Sequence, residues 1–330
     1  MAEHISAEER LIARHFRPLA TDPGALGLGD DAAVLTPPEG CDLVLTTDGV
    51  IAGVHFLPDD PPETIGCKAL RMNLSDLAAK GARPAGFLMA LAMPAGIDEA
   101  WLSAFAAALG ADARHYGCPL LGGDTDRTPG PLSISIAAFG VVPRGKMVRR
   151  SGAKAGDSVM VSGTIGDAAL GLRLRRDRGL AARLGLPEAH ALKLQQRYLL
   201  PEPRNALAEA VRAHASAAMD VSDGLAGDLA KLCRASSLAA EIDVARVPLS
   251  AAARAALSRE ASLIESILTG GDDYEIVATL APESVAPFTA AAARAGVAVA
   301  AIGRIVEGQG ARFLSDGKAL TFAQASFSHF

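Results

Sequence analysis

The chain alternates between two hydrophobic patterns, which predict strands and helices in turn. Apolar runs and strict alternation predict strands, whereas apolar positions three and four residues apart predict helices. In the first half, the predicted strands are residues 42–47, 85–93, 119–122 and 132–142. The predicted helices are residues 6–20, 63–80 and 98–116. Strands that alternate with helices in this way favour an α/β fold, or α+β layers.

A second module with the same alternation begins near Ser151. Its predicted strands are residues 158–162, 217–221, 239–243, 274–280 and 297–302. Its predicted helices are residues 167–178, 204–215, 224–236 and 283–295. The length of 330 residues also suits two domains. We therefore predict one domain over residues 1–150 and another over residues 151–330.

Composition and charge exclude several classes of protein. The net charge is −5 and aromatic residues make up 4% of the chain, which argues against a nucleic-acid partner. No apolar run is long enough to cross a membrane, and the polar, acidic start is unlike a secretion signal. The four cysteines are widely spaced and indicate reduced thiols. These features predict a cytoplasmic protein that binds neither nucleic acid nor membrane.

Aspartates recur beside glycine, serine or threonine, at turns that are predicted to end strands. These clusters lie at residues 29–31, 46–49, 75–76, 122–125, 220–224 and 270–273. A single cluster of this kind is typical of turns and helix caps. Several carboxylates that converge on one site repel one another and need counter-cations. Because Mg²⁺ prefers carboxylate and phosphate oxygens, the pattern predicts a magnesium-rich phosphate site.

Two glycine-rich stretches resemble phosphate loops but lack the required chemistry. Residues 140–147 end in Met147, where a Walker-type loop needs serine or threonine, and Pro143 removes a backbone N–H. Residues 27–32 follow a loop rather than a strand and would bring two acidic side chains to a pyrophosphate. We therefore predict neither a P-loop nor a dinucleotide fold.

Two further residues allow two interpretations each. His55 follows the cluster around Asp48 and is either a structural histidine or a substrate contact. Arg150 is either a solvated cation at the domain junction or a ligand of a nucleotide phosphate, which suits the forked guanidinium. Local sequence does not decide between these alternatives.

Taken together, the motifs resemble the thiamine-monophosphate kinase family, which is part of the aminoimidazole-ribonucleotide-synthetase-like superfamily. The resemblance covers nearly the whole chain and rests on GDDAAVL (29–35), TTDGVIAGVHF (46–56), NLSDLAAKGARP (73–84), GGDT (122–125), RSGAKAGD (150–157), SGTIGDAALGL (162–172), DVSDGLAGDL (220–229) and GGDDYEI (270–276). One such motif would be weak, but their order along the chain makes the resemblance specific.

The resemblance implies a two-domain, PurM-like fold. Residues 1–150 would form an α/β domain that binds ATP and magnesium and pairs across a homodimer. Residues 151–330 would form an α/β domain with a mixed sheet that completes the active site. The implied reaction is ATP-dependent phosphorylation of thiamine monophosphate to thiamine diphosphate, with several Mg²⁺ ions as cofactors.

The resemblance also implies roles for individual residues. The expected magnesium ligands are Asp30, Thr46, Thr47, Asp48, Asp76, Asp124, Asp220 and Asp223. The expected nucleotide contacts are Gly123, Asp124, Arg150 and Ser222. The expected contacts to thiamine monophosphate are His55, Asp272 and Phe327. No side chain is expected to act as a general base.

Elementary chemistry agrees with the lack of a base. The second pKa of a phosphate monoester is about 6, so the acceptor is largely a dianion at neutral pH. The difficulty is to bring two anions together for direct in-line transfer. Positioning and electrostatic screening by metal ions then supply most of the catalysis.

Other functions remain open from the sequence. Aminoimidazole ribonucleotide synthetase would share ATP and magnesium but act on an amide oxygen. A selenophosphate synthetase would carry a reactive cysteine near its N-terminus, whereas the first cysteine here is Cys41, and a hydrogenase-maturation relative would end in cysteine. From a different class, an acidic protein that stores divalent cations would not need the apolar strands or Arg150.

Overall fold

The computed structural model describes residues 6–324 and 326–327, which divide into two compact units. The first unit extends to Leu77 and continues over Arg83–Gly145. The second unit comprises Ala78–Ala82 and the chain from Lys146 onward. The chain therefore enters the second unit briefly at the end of a helix before it returns to complete the first.

The first unit is built on a four-stranded sheet with the strand order β1-β4-β2-β3. Its strands are β1 (Cys41–Ile51), β2 (Arg83–Met93), β3 (Leu120–Arg127) and β4 (Ser133–Pro143). Its helices are α1 (Ala7–Leu11), α2 (Pro62–Ala79, whose last two residues belong to the second unit) and α3 (Glu99–His115). Strand β4 pairs antiparallel with β1 and β2, whereas β2 and β3 are parallel.

Helix α3 shows how local sequence sets the elements of this unit. The Asp98 carboxylate accepts a hydrogen bond from the Trp101 N–H at 2.7 Å, so the helix begins where the sequence predicts. Phe105 is fully buried. Asp112 ties α3 to α2, because its two oxygens accept bonds from the Arg71 guanidinium at 2.6 and 2.9 Å. The paired geometry fixes the two helices against each other.

Strands β1 and β3 are longer than the hydrophobic pattern predicts. The prediction that a loop begins by Asp48 is wrong, because β1 continues to Ile51. The GGDT motif likewise lies inside β3 rather than in a turn after it. Glycine and aspartate are poor strand formers, but each strand is held by hydrogen bonds to its neighbour, and pairing overrides local preference.

The second unit is built on a seven-stranded sheet with the order β11-β10-β7-β9-β5-β8-β6. Its strands are β5 (Ser158–Ser162), β6 (Ala217–Val221), β7 (Ala239–Asp243), β8 (Glu275–Leu280), β9 (Val299–Val306), β10 (Gly310–Ser315) and β11 (Lys318–Ala319). Strands β7 and β10 are parallel and the other pairs are antiparallel, so the sheet is mixed, as predicted.

Helices of the second unit cover both faces of this sheet. They are α4 (Asp167–Arg176), α5 (Leu180–Arg183), α6 (Glu188–Leu199), α7 (Ala208–His214), α8 (Leu225–Ser236), α9 (Ala251–Leu257), α10 (Leu263–Thr269) and α11 (Pro282–Arg294). Alternate residues of the central strands enter two separate cores. Val159 joins one core, and Met160 joins the other. The α/β fold class is therefore confirmed, since each unit packs helices against a mixed sheet.

The hydrophobic pattern misses six elements of this unit, namely α5, α6, α9, α10, β10 and β11. Helices α9 and α10 are short, and β11 is a two-residue edge strand, so each carries little periodicity. Over residues 6–324 and 326–327, no helix is both long and apolar enough to cross a lipid bilayer.

Candidate functional site

A cavity of about 670 Å³ lies in the first unit and contains three of the predicted site residues. Asp30, Gly123 and Asp124 line it. Apolar side chains from the N-terminal segment and the sheet form the remaining wall, among them Phe16, Leu45, Leu88 and Phe139. This volume lies in the range of small-molecule and cofactor pockets, and the acidic residues add a few polar groups to an apolar lining.

Gly123 allows strand β3 to approach β2 closely at this cavity. A Cβ atom on this residue would lie 1.9 Å from the Met89 carbonyl oxygen, and its φ of 155° is one that other residues rarely adopt. The next residue, Asp124, is exposed, and its carboxylate accepts the Thr125 N–H at 2.9 Å. The glycine is therefore required by packing, and it places an acidic side chain at the cavity.

The strand register separates Asp48 from Asp124, another predicted ligand of this unit. Asp48 on β1 lies in one row with Ile136, Met89 and Gly123 across the four strands. Its backbone is three strand spacings, or roughly 14 Å, from that of Gly123. Asp48 and Asp124 lie on strands at opposite edges of the sheet, so one Mg²⁺, with its short metal–oxygen bonds, cannot bind both within this unit.

Alternation along β1 also divides its three predicted ligands between the two faces of the sheet. Thr46 and Asp48 share the face of the buried residue Val44, whereas Thr47 lies on the open face with Leu45. The Thr46 hydroxyl donates a hydrogen bond to the Asp76 carboxylate on α2. The structure therefore brings Thr46 and Asp76 together and places the Thr47 side chain elsewhere.

His55 lies in the turn that follows β1. Its ring Nδ1 accepts the Ile51 N–H at 3.1 Å. The backbone N–H of His55 donates to the Ile51 carbonyl at 2.9 Å. Because the nitrogen that accepts is Nδ1, the proton of the neutral ring lies on Nε2. These bonds fit the structural interpretation of His55, and the substrate contact that the resemblance implies stays a prediction.

In the second unit, the predicted ligands lie in the turn between β6 and α8. Asp220 is buried at the end of β6, and Ser222 and Asp223 follow it. The Asp228 carboxylate accepts the backbone N–H groups of Ser222 at 3.0 Å and Asp223 at 2.8 Å. A buried acid on the helix thus holds the turn that carries the candidate ligands.

Lys231 adds a cation to this turn. Its ammonium contacts Asp223 at 2.5 Å and Asp228 at 2.8 Å. Burial raises the pKa of the Asp228 carboxyl, and the neighbouring ammonium only partly offsets this effect. Burial lowers the pKa of Lys231, but its hydrogen bonds to the two carboxylates outweigh burial and raise the pKa overall. The Asp223 carboxylate, a candidate magnesium ligand, therefore lies next to the stabilised ammonium group of Lys231.

The motif around Asp272 packs directly on the same turn. The Asp272 N–H donates to the Ser222 carbonyl at 2.8 Å, and the Tyr274 N–H donates to the Val221 carbonyl at 2.8 Å. A Cβ atom on Gly271 would lie 2.4 Å from the Ser222 oxygen, so glycine is needed for this approach. The half-buried Asp272 is therefore fixed next to Ser222.

Phe327 and Arg150 are each tied to the second unit through their backbones. The Phe327 N–H donates to the Asp223 carbonyl at 3.0 Å, and its side chain is exposed. The Arg150 carbonyl accepts the Ser236 hydroxyl at 3.2 Å, and the Arg150 residue is exposed. Both side chains are therefore accessible to a ligand.

The donor atoms suit Mg²⁺, although they are not gathered into one cluster. The predicted ligands offer carboxylate and hydroxyl oxygens, which are hard donors of the kind that Mg²⁺ binds. Among the described residues, no three His, Cys, Asp or Glu side chains are grouped to hold a metal ion. The chemistry of the individual donors thus fits magnesium.

Sequence reasoning missed several residues that shape the site. They are Asp228, Lys231, Asp273 and Tyr274, all of which contact the turns that carry predicted site residues or form part of them. Asp228 and Lys231 lie five and eight residues after Asp223, on helix α8. Their spacing of three along a helix is the signal that could have placed them on one face.

Comparisons with known proteins show which family the chain resembles. Family models for the N-terminal and C-terminal domains of AIR synthase related proteins match residues 29–142 and 154–315. The thiamine-monophosphate kinase of Caulobacter vibrioides is 45% identical over 322 residues, covering 96% of this chain and 89% of that protein.

Two solved structures are similar over nearly the whole chain. The thiamine-monophosphate kinase of Stenotrophomonas maltophilia K279a has a TM-score of 0.83 and 41% identity, covering 97% of this chain and 98% of the other. AaThiL complexed with AMPPCP and TMP has a TM-score of 0.78 and 33% identity, covering 92% and 91%. The similarity therefore extends over both units.

Proposed function

The chain belongs to the AIR synthase related family and, within it, to the thiamine-monophosphate kinases, and we propose that it transfers the γ-phosphate of ATP to thiamine monophosphate. The product is thiamine diphosphate, and the transfer is direct and in line. A relative of the same family has been solved with AMPPCP and TMP bound, which supports this choice of substrates.

The cavity of the first unit is the observation that carries the proposal. It joins an apolar wall, suited to a purine ring, with Asp30, Gly123 and Asp124. Carboxylates alone would repel a triphosphate, so their presence beside a nucleotide requires cations. We therefore assign ATP binding to the first unit, with Gly123 and Asp124 as contacts and Asp30 and Asp124 as magnesium ligands.

The remaining magnesium ligands are assigned to two further groups. Thr46, Thr47, Asp48 and Asp76 belong to the first unit, and Asp220 and Asp223 to the second. Because the Thr47 side chain lies on the opposite face from Thr46, we assign its role to the backbone carbonyl. When bound, magnesium screens the negative charge of the two phosphate groups during transfer.

The chain's own residues supply binding and orientation rather than proton transfer. The acceptor phosphate is already largely a dianion at neutral pH, because its second pKa is about 6. Arg150 and Ser222 are assigned to the nucleotide, since a guanidinium and a hydroxyl both donate to phosphate oxygens. Asp272, His55 and the exposed ring of Phe327 are assigned to thiamine monophosphate, and Asp272 matches the positive charge of the thiamine end.

The open face of the first unit's sheet supports a homodimer. Leu45 and Leu88 are large apolar residues on this face, and they are 66% and 37% exposed. Phe139 lies in the same row as Leu45. These residues also line the cavity assigned to ATP, so we propose that a second copy of the chain covers the part of this apolar face that the nucleotide leaves exposed. The free cysteines suit a reducing compartment, and we assign the enzyme to the cytoplasm.

A coupled assay of ADP together with chromatography of thiamine diphosphate tests the proposed reaction. We expect magnesium-dependent formation of both products in equal amounts from ATP and thiamine monophosphate. Thiamine is the matched control, because it lacks the phosphate that acts as the nucleophile. Equal use of thiamine, or ADP formation without thiamine diphosphate, would overturn the proposal.

A further inference from the structure

The turn that carries Asp272 adopts a backbone conformation that its residues seldom take. Asp272 has a φ of 74° and Tyr274 a φ of 52°. Both values lie in the left-handed region, where aspartate is uncommon and a bulky residue such as tyrosine is rarer still. Two such residues on either side of Asp273 persist only where surrounding contacts hold them in place.

Asp273 supplies those contacts from within the protein. It is fully buried, and its carboxylate accepts the Gly166 N–H at 2.7 Å and the Ala168 N–H at 3.4 Å, at the start of α4. Its carbonyl accepts a bond from the buried Arg197 guanidinium at 3.0 Å. Its side-chain oxygens thus accept N–H groups at the start of a ten-residue helix, which have no partner within the helix.

Contacts on the other side of the turn aim Asp272 away from this core. Its N–H is bound to the Ser222 carbonyl, and the Tyr274 hydroxyl donates to its carboxylate at 3.2 Å. Asp272 remains half-buried, whereas Asp273 and Tyr274 are buried. The two adjacent aspartates therefore have different surroundings, since Asp273 is buried against the helix start and Asp272 is half-buried beside Ser222 and Tyr274.

We propose that Asp273 is a positioning residue, whose buried carboxylate locks the turn of residues 271–274 so that Asp272 is presented to the cationic end of thiamine monophosphate. This role rests on the proposed function, in which Asp272 contacts the thiamine. Asp273 acts through the backbone of the turn, and Tyr274 restrains the Asp272 carboxylate from the opposite side.

Double-mutant kinetics separate positioning from general support of the core. The variants are D272A, D273A and the double variant, with KM measured for each substrate in turn. We expect D272A and D273A each to raise KM for thiamine monophosphate about tenfold or more, the usual effect of losing a hydrogen bond to a charged group. KM for ATP should stay within about twofold. The double variant should exceed D272A by less than about threefold, because both changes remove one interaction.

Conservative variants keep the test decisive if D273A does not fold. D273N retains one oxygen that can accept the Gly166 N–H, so it should restore part of the affinity lost in D273A. Y274F keeps the buried ring and removes the hydroxyl, and it should raise KM for thiamine monophosphate by severalfold. The matched control is D157N, which alters a buried carboxylate bound to the Lys154 N–H at 3.0 Å, in the same unit. It should leave both KM values unchanged.

The outcomes distinguish the role of Asp273 from the proposed function. Additive effects in the double variant, or equal increases of KM for both substrates in D273A and D273N, would overturn the positioning role. Failure of the wild-type chain to phosphorylate thiamine monophosphate would overturn the proposed function and this role with it. Wild-type turnover with a non-additive cycle would support both.

Discussion

The backbone N–H of Phe327 donates a hydrogen bond of 3.0 Å to the carbonyl oxygen of Asp223. The bond joins the last aromatic residue that the structure describes to the turn that holds candidate magnesium ligands. The Phe327 ring is 48% exposed, so the backbone is held while the side chain stays accessible. A residue assigned to thiamine is thus attached directly to a residue assigned to magnesium.

We expect F327A and a deletion of residues 326–330 to affect different kinetic constants. F327A removes the ring and keeps the N–H, so KM for thiamine monophosphate should rise by severalfold while kcat is nearly unchanged, since ring stacking contributes about 1 kcal/mol. The deletion also removes the bond to Asp223 and should lower kcat as well. Steady-state kinetics and thermal melting check this difference, and identical kinetics for the two variants would contradict it.

Loss of charge at Asp48 or Asp76 should abolish most of the turnover while the fold survives. D48N and D76N keep the shape of the side chain but remove a negative charge that is assigned to magnesium. We expect kcat to fall by at least about two orders of magnitude, because lost electrostatic stabilisation typically costs several kcal/mol. The matched control is D42N on the same strand, whose carboxylate binds the Gly145 N–H. Near wild-type turnover at saturating Mg²⁺ would refute the assignment.

Asp272 and Arg150 should affect different substrates. D272A should raise KM for thiamine monophosphate more than KM for ATP, because the carboxylate is assigned to the cationic thiamine end. R150A should do the reverse, since the guanidinium is assigned to a nucleotide phosphate, and a charge-assisted bond contributes about 1.5–3 kcal/mol. Initial rates with each substrate varied in turn decide the matter. Swapped effects would show that the two assignments are exchanged.

The buried Asp273 should make stability depend on pH. Burial raises its pKa well above the usual value, although the Gly166 bond and Arg197 oppose the shift. The folded state therefore holds this proton more tightly than the unfolded chain does. The contribution to the free energy of unfolding is present below the unfolded pKa of about 3.9 and is lost as pH rises through the folded pKa.

Thermal melting of D273N against wild type measures this effect. Asparagine carries no charge to desolvate, so the Tm of D273N minus that of wild type should become more positive as pH rises from about 4 to about 8. A difference that stays constant over this interval would show that Asp273 has the same proton affinity in the folded and unfolded states.

Three of the four cysteines should be unreactive in the folded protein. Burial raises the pKa of Cys67 and Cys118 to about 12 and that of Cys233 to about 11. Only the thiolate reacts with disulfide reagents, so at pH ~8 these residues should be protected by both access and charge. We expect the half-buried Cys41 to react first, and all four to react in denaturant. Rapid native labelling of a second thiol would contradict this.

Three strands of the second unit could be predicted from the sequence residue by residue. Strands β5, β6 and β7 match the predicted ranges 158–162, 217–221 and 239–243. Each is a five-residue, mainly apolar segment that ends at a turn or helix start, and that information is local. The start of α3 was equally predictable, because the Asp98 side chain accepts a backbone N–H from the first turn of the helix that it begins.

The lengths of β1 and β3 depended on pairing that no local pattern reveals. Both strands continue through aspartate and glycine because a neighbouring strand from a distant part of the sequence supplies their hydrogen bonds. The sheet order β1-β4-β2-β3 then sets Asp48 and Asp124 at opposite edges. Sequence motifs identified both as candidate ligands but carried no information on the distance between them.

The adjacent residues Asp272 and Asp273 show most clearly which features the sequence determines and which features need the tertiary structure. The sequence alone determined that an acidic, glycine-rich turn precedes β8 and that its composition suits a charged ligand. It could not determine which aspartate serves the ligand, because the two are chemically identical neighbours. The tertiary structure decided this by burying Asp273 against the start of α4 and twisting the backbone on both sides of it. A side chain's environment is set by what packs against it, and those partners lie about a hundred residues away in the chain.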